Sequence, residues 1–160
     1  MKTSLKVIAC MAALAVLVTV QSAAAQGKLQ GVWKLTEVTF TGPNAGTVTP
    51  VEPGIWIFAK KHSCFVAVTG DKPRPALPQK DATDVQKVAT WTQFLAAANT
   101  YEVKGNTVTS HSIVSKNPIK PGAFGTADIK IEGNTLYLTP KTNQDGPIAN
   151  PYTLKLVRLE

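Results

Sequence analysis

Few side chains in this 160-residue chain have the chemistry to act on another molecule, and they are scattered. His111 lies in Thr109-Ser110-His111-Ser112-Ile113, on one strand face with Thr109 and Ile113. An imidazole inside a barrel could orient a ligand or transfer a proton near neutral pH; the plainer reading is a hydrogen-bonded wall residue. Glu37 has the inward phase set by Trp33 and Leu35, unless a bulge shifts it. Inside, it would be a pocket acid with a raised pKa; near an open rim it would stand in water. His62 and Cys64 are two apart and share a strand face. Two ligands fall short of the three or four that zinc takes, so no metal is expected. Serine-nucleophile motifs, a phosphate-binding loop, dinucleotide glycines and metalloprotease histidines are all missing, and no carboxylate pair stands out. No cofactor and no catalytic residue is assigned. The aromatics Trp56, Phe58, Phe65, Trp91, Phe94 and Tyr101 could line a cavity.

The first residues read as a leader. Lys2 and Lys6 precede an apolar run from Val7 to Val20, and Ala23-Ala24-Ala25 supplies the small residues that a signal peptidase reads. The run is short for a membrane span. A signal peptide over 1–25 is expected, with the folded domain over 26–160 and export to the periplasm or beyond the cell. Val7-Ile8-Ala9-Cys10 resembles a lipoprotein cleavage box but comes too early, so no lipid anchor is expected after cleavage. Cys64 is then the only cysteine, which rules out an internal disulfide; a lone Cys in a strand reads as a small buried hydrophobe. The formal charge of +7 is spread over lysines that stand singly among acids. Nucleic-acid binding calls for a clustered basic stripe, and the charge here reads as a solvated surface.

The elements that must position these residues are mostly strands. Leu29 to Phe40 alternates and reads as the first. Thr41 to Gly54, with Gly42, Pro43, Gly46, Pro50 and Pro53, reads as a long irregular loop. Ile55-Trp56-Ile57-Phe58 and Ser63 to Thr69 form a hairpin about Lys60-Lys61. Both faces of the first of these are apolar, so it should be covered on both sides. Gly70 to Pro78, with Pro73 and Pro75, is a stiff surface loop. From Asp81 to Ala98 the period changes: Val88, Trp91, Leu95 and Ala98 recur at helical steps. Asp81 or Thr83 can cap this helix and Asn99 can end it. The helix bearing Trp91 and Leu95 either docks outside the sheet or plugs a mouth. Two hairpins follow, each turning on Gly-Asn between alternating runs, at Gly105-Asn106 and Gly133-Asn134. Asn117 to Gly122, including Pro121, is a turn region, and Thr142 to Pro151 a last long loop. About eight strands and one helix result, and eight strands suit a closed barrel holding side chains or one small ligand.

In the closing strand, Tyr152 to Leu159, Lys155 should face water. Tyr152, Leu154, Leu156 and Arg158 then face inward. An inward arginine beside three apolar residues needs an aromatic face and backbone carbonyls. In a closed barrel the first strand is its neighbour and offers Trp33. Here the chain resembles the lipocalins and the wider calycin group. Their first strand carries Gly-x-Trp, matched by Gly31-Val32-Trp33, and their last strand carries an arginine that packs across that tryptophan, matched by Arg158. Segments within Phe94 to Pro118, including Tyr101-Glu102-Val103, Gly105-Asn106-Thr107-Val108 and His111, resemble the bacterial lipocalin-like domain family. So does Ile131-Glu132-Gly133-Asn134-Thr135-Leu136. The chain departs from the better known lipocalins in lacking their disulfide and the helix after the barrel.

The resemblance implies an all-β, closed, eight-stranded up-and-down antiparallel barrel with one mid-chain helix, in which Gly31, Trp33 and Arg158 close one end. With the leader, it makes the expected protein an exported one that binds or carries a small hydrophobic ligand; strand phase and aromatic content, rather than the resemblance, name Glu37, Trp56, Phe58, Phe65, Tyr101 and His111 as candidate contacts. Two other readings stand beside it. One is an interaction module without a ligand, docking through Asp71 to Pro78 with Lys72 and Arg74. The other is an isomerase or cyclase using Glu37 or His111 as its acid or base.

Overall fold

The computed structural model describes residues 25–50, 52, 54–74, 76–78, 80–120 and 122–160. All of the expected leader over 1–25 except Ala25, with Cys10, and the loop prolines Pro53, Pro75 and Pro121 lie outside the described residues. Among the described residues are the strands β1 (Gly31–Phe40), β2 (Gly46–Val48), β3 (Ile55–Phe58), β4 (His62–Val68), β5 (Phe94–Lys104), β6 (Thr107–Ser115), β7 (Phe124–Glu132), β8 (Thr135–Asn143), β9 (Gly146–Pro147) and β10 (Tyr152–Arg158), with a mid-chain helix, Asp84–Gln93, between β4 and β5. Eight of the strands form a closed antiparallel ring in the order β1, β3, β4, β5, β6, β7, β8, β10, since β10 pairs with both β8 and β1. The expected eight-stranded barrel is therefore the observed one. β2 and β9 are short additions to β1 and β8. They lie in the two long loops, so each loop expected to be irregular contains one paired segment.

The ends of the barrel differ. At one end the connections are tight. Both Gly-Asn hairpins are two-residue turns, joining Lys104 to Thr107 and Glu132 to Thr135. Only the glycine of each takes a positive φ, +58° at Gly105 and +56° at Gly133. Glycine first with a following residue of negative φ is the pattern whose twist matches that of the flanking strands. At the other end the connections are long, and they ring the mouth.

The tight end is plugged. A helical turn over 25–29 lies across it, and Leu29 and Trp33 are fully buried. The indole N–H of Trp33 donates to Leu29 O at 2.9 Å. The Arg158 guanidinium lies 4.0 Å from the Trp33 ring centroid, and its donors reach the carbonyls of Gln30 (2.6 Å), Glu160 (3.3 Å) and Lys28. The inward arginine is thus satisfied by one aromatic face and three backbone oxygens. Gly31 completes the arrangement: its φ is +136°, and a Cβ there would run into Arg158 Nη1 and Glu160 O. No other residue type tolerates both the backbone angle and the contact.

The helix is shorter than its periodicity predicts. Thr83 caps it in a reciprocal capping box with Gln86, and it ends at Gln93. Leu95, Ala98 and Asn99, expected in or at the end of the helix, lie instead on β5. Seven consecutive pairs bind His62–Val68 to Phe94–Thr100, so ladder pairing overrides the helical preference of the alanine run. The remaining helix has no buried residue; Val85, Val88 and Trp91 are exposed. It does not cover β3, whose outer Ile57 is 40% exposed.

Candidate functional site

Inside the barrel, above the plug, is a cavity of about 790 Å³. That is within the range of pockets that enclose small ligands. Its floor is made by Leu35, Phe58 and Val108, directly above the fully buried layer of Trp33, Leu136 and Leu156. All eight strands of the ring contribute to its walls, and the mouth opens among the long connections. No residue of the helix lines it, so the helix stands beside the mouth and leaves the interior unfilled.

Of the six candidate contacts, three line this space. Trp56 and Phe65 are directly paired across β3 and β4 and stack at 5.1 Å with their planes 10° apart. Phe58 meets the ring of Tyr101 edge-on at 5.4 Å. Tyr101 itself faces inward but lies below the cavity floor. Its hydroxyl donates to Ala59 O at 2.7 Å, tying β5 to the β3–β4 turn, and burial pushes its phenol pKa up. Tyr101→Phe will therefore cost about 1 kcal/mol of stability, the worth of one partly buried hydrogen bond, and leave probe binding in the cavity unchanged. Urea denaturation beside a probe titration reads both.

The other two candidates lie outside, which corrects the phase expected for each. In β1, Thr36 is an extra residue: Leu35 pairs with Leu156 but Glu37 pairs with Lys155. The bulge turns Glu37 to the outer face, where Lys155 Nζ stands 3.9 Å from its carboxylate, and turns Val38 inward onto the cavity. His111 is exposed on the outer face of β6, its ring 5.9 Å from that of Phe124. Neither group reaches the cavity, so neither supplies it with an acid or a base. Cys64 is half-buried and its thiol is free. Among the described residues no group of three metal-ligating side chains comes together.

What the sequence reading missed is the polar part of the wall. Ser63 on β4, Asn99 on β5, and Ser110 and Ser112 on β6 all line the cavity. Ser63 shares its face with Phe65 and was available as a signal. Asn99 was hidden by the helix expectation. Ser112 follows Val108 and Ser110 by plain alternation; beyond it a second bulge, in which Ala98 pairs with Val114 and Asn99 with Ser112, makes Ile113 the extra residue and turns Ser115 inward. Among the described residues the lining carries a single charged side chain, Asp71, which is exposed at the mouth.

Two mouth loops are held together by an ion pair. Arg74 donates to Glu52 from Nε at 3.1 Å and from Nη2 at 2.7 Å, and its backbone N–H adds a third bond at 3.1 Å. The hydrogen bonds from the Arg74 side chain are the main cause that lowers the Glu52 pKa below its ordinary 4.5. A lowered folded-state pKa means that the tie is present above the ordinary carboxylate range and is lost as pH falls through the lowered value. Following the Glu52 carboxyl by NMR, Arg74→Ala will move its midpoint upward towards 4.5.

Fold and site together define a closed eight-stranded β-barrel, plugged at one end, with an apolar cavity that opens at the other. No known protein family, curated protein or solved structure matches the chain.

Proposed function

We propose that this chain is a lipocalin-like exported carrier or sensor that holds a small apolar molecule inside its barrel. The observation that supports this reading is the cavity of about 790 Å³, walled by Trp56, Phe58, Leu138 and Leu154. A filled interior would have removed the reading; a space of this size with aromatic walls is what burial of an apolar ligand needs. The acid–base alternative loses its two named groups, because Glu37 and His111 stand on the outer surface.

The test is direct. The protein purified from its host is examined by native mass spectrometry, then extracted into organic solvent. In parallel the apo protein is titrated with N-phenylnaphthylamine while Trp56 emission is followed. A co-purifying apolar molecule or saturable one-to-one probe binding supports the carrier reading. A protein that carries nothing and leaves the probe dark removes it.

A further inference from the structure

Three polar side chains form a row across the cavity wall. Ser63 pairs with Asn99, and Asn99 pairs with Ser112, on three neighbouring strands. All three line the cavity. Ser63 and Asn99 are 9% and 8% exposed, the two buried polar residues among those described. Ser112 Oγ donates to Asn99 Oδ1 at 3.0 Å. That bond uses the amide's acceptor and orients its Nδ2 donors, which have no protein partner among the described residues. The Ser63 hydroxyl has none either. These donors are not sealed in the wall, since the buried side-chain atoms without a partner among the described residues are Gln93 Oε1 and Asn150 Oδ1. They open onto the cavity, where a bound molecule can supply the acceptor.

The charge pattern narrows the acceptor. Among the described residues no lysine, arginine or histidine lines the cavity, and the one charged side chain that does, Asp71 at the mouth, is an anion. A carboxylate drawn into this space would lose its hydration with no cation to replace it. A neutral oxygen loses far less and can accept from both Asn99 and Ser63.

We propose that the Ser63–Asn99–Ser112 row is the head-group subsite of this cavity and selects an uncharged apolar molecule bearing a hydroxyl or carbonyl oxygen over a fatty carboxylate. This rests on the carrier reading above. The alkyl part of such a ligand lies against Trp56, Phe65 and Leu138, and its oxygen sits midway down the barrel at Asn99.

Displacement of N-phenylnaphthylamine by dodecanol and by dodecanoate, well above the carboxylate pKa, tests it. The chains are matched and only the head group differs. Dodecanol is expected to bind at least about tenfold tighter. Asn99→Leu, which keeps the side-chain size, is expected to lower the affinity for dodecanol relative to that for the probe, each measured on the variant, by about tenfold, the worth of one hydrogen bond in such a site. Ser63→Ala, a smaller change, is expected to move dodecanol in the same direction, and it keeps the test sound should Asn99→Leu fail to fold. If the probe binds but dodecanoate equals dodecanol, or if neither variant changes dodecanol, the head-group subsite is overturned and the carrier reading stands. If neither probe nor alcohol binds the wild-type protein, both fall together.

Discussion

Trp33→Ala will destabilise the barrel by about 3–5 kcal/mol, the cost of removing a large aromatic from a tightly packed site. Trp33 is fully buried, donates its only N–H to Leu29 O, and carries the Arg158 guanidinium on its face. Truncation would leave a void in the plug, an unmatched carbonyl and an arginine without its aromatic support. The three tryptophans make an internal scale. Trp91 is 56% exposed on the helix, so Trp91→Ala is expected to stay within about 0.5 kcal/mol. Trp56 faces a cavity that already exists, so its loss enlarges a space rather than creating one, and its cost falls between the other two. Urea denaturation of the three variants gives the order. A Trp33→Ala protein no less stable than Trp91→Ala would show that the plug does not hold this barrel shut.

The second large effect is on binding. Ala97 lies on the cavity side of β5, opposite Phe65 and Ser115 on the adjoining strands. Ala97→Trp places an indole in the space between mouth and polar row. Because the volume is present beforehand, the new ring meets less resistance than in a packed core, where overpacking costs about 1–3 kcal/mol. The expected result is a melting temperature close to wild type and probe affinity lowered by more than tenfold, or about 1.4 kcal/mol. Retained affinity in a folded Ala97→Trp protein would place probe binding outside the barrel, with the exposed helix face next to examine.

These two substitutions act on two halves of the molecule that differ in how far they are legible in the sequence. The plugged half is written locally. Gly31-Val32-Trp33 and the alternation of Tyr152 to Arg158 place an arginine and a tryptophan inward on first and last strands, and ring closure brings them together. Both Gly-Asn turns are readable for the same reason: a two-residue hairpin depends on the φ of its own residues.

The open half is not written that way. Part of its lining depends on where strand phase is interrupted. A strand alternates strictly until a bulge intervenes, and one extra residue turns everything beyond it to the other face. Thr36 sends Glu37 out and Val38 in; Ile113 turns Ser115 inward beyond Ser112. A bulge is a mismatch between two paired strands, so no single segment records it. The run Phe94 to Asn99 shows the same limit: its alanines suit a helix taken alone, and only pairing with β4 and β6 makes it a strand that carries Asn99 into the wall. By itself, then, the sequence determined the all-β barrel, its turns and its Trp33–Arg158 closure, because local periodicity and backbone preference suffice for those. Only the tertiary structure decided that the helix ends at Gln93 beside the mouth, that Glu37 and His111 face water, and that a serine–asparagine row faces the cavity, because each is settled by the register of strands distant in the chain.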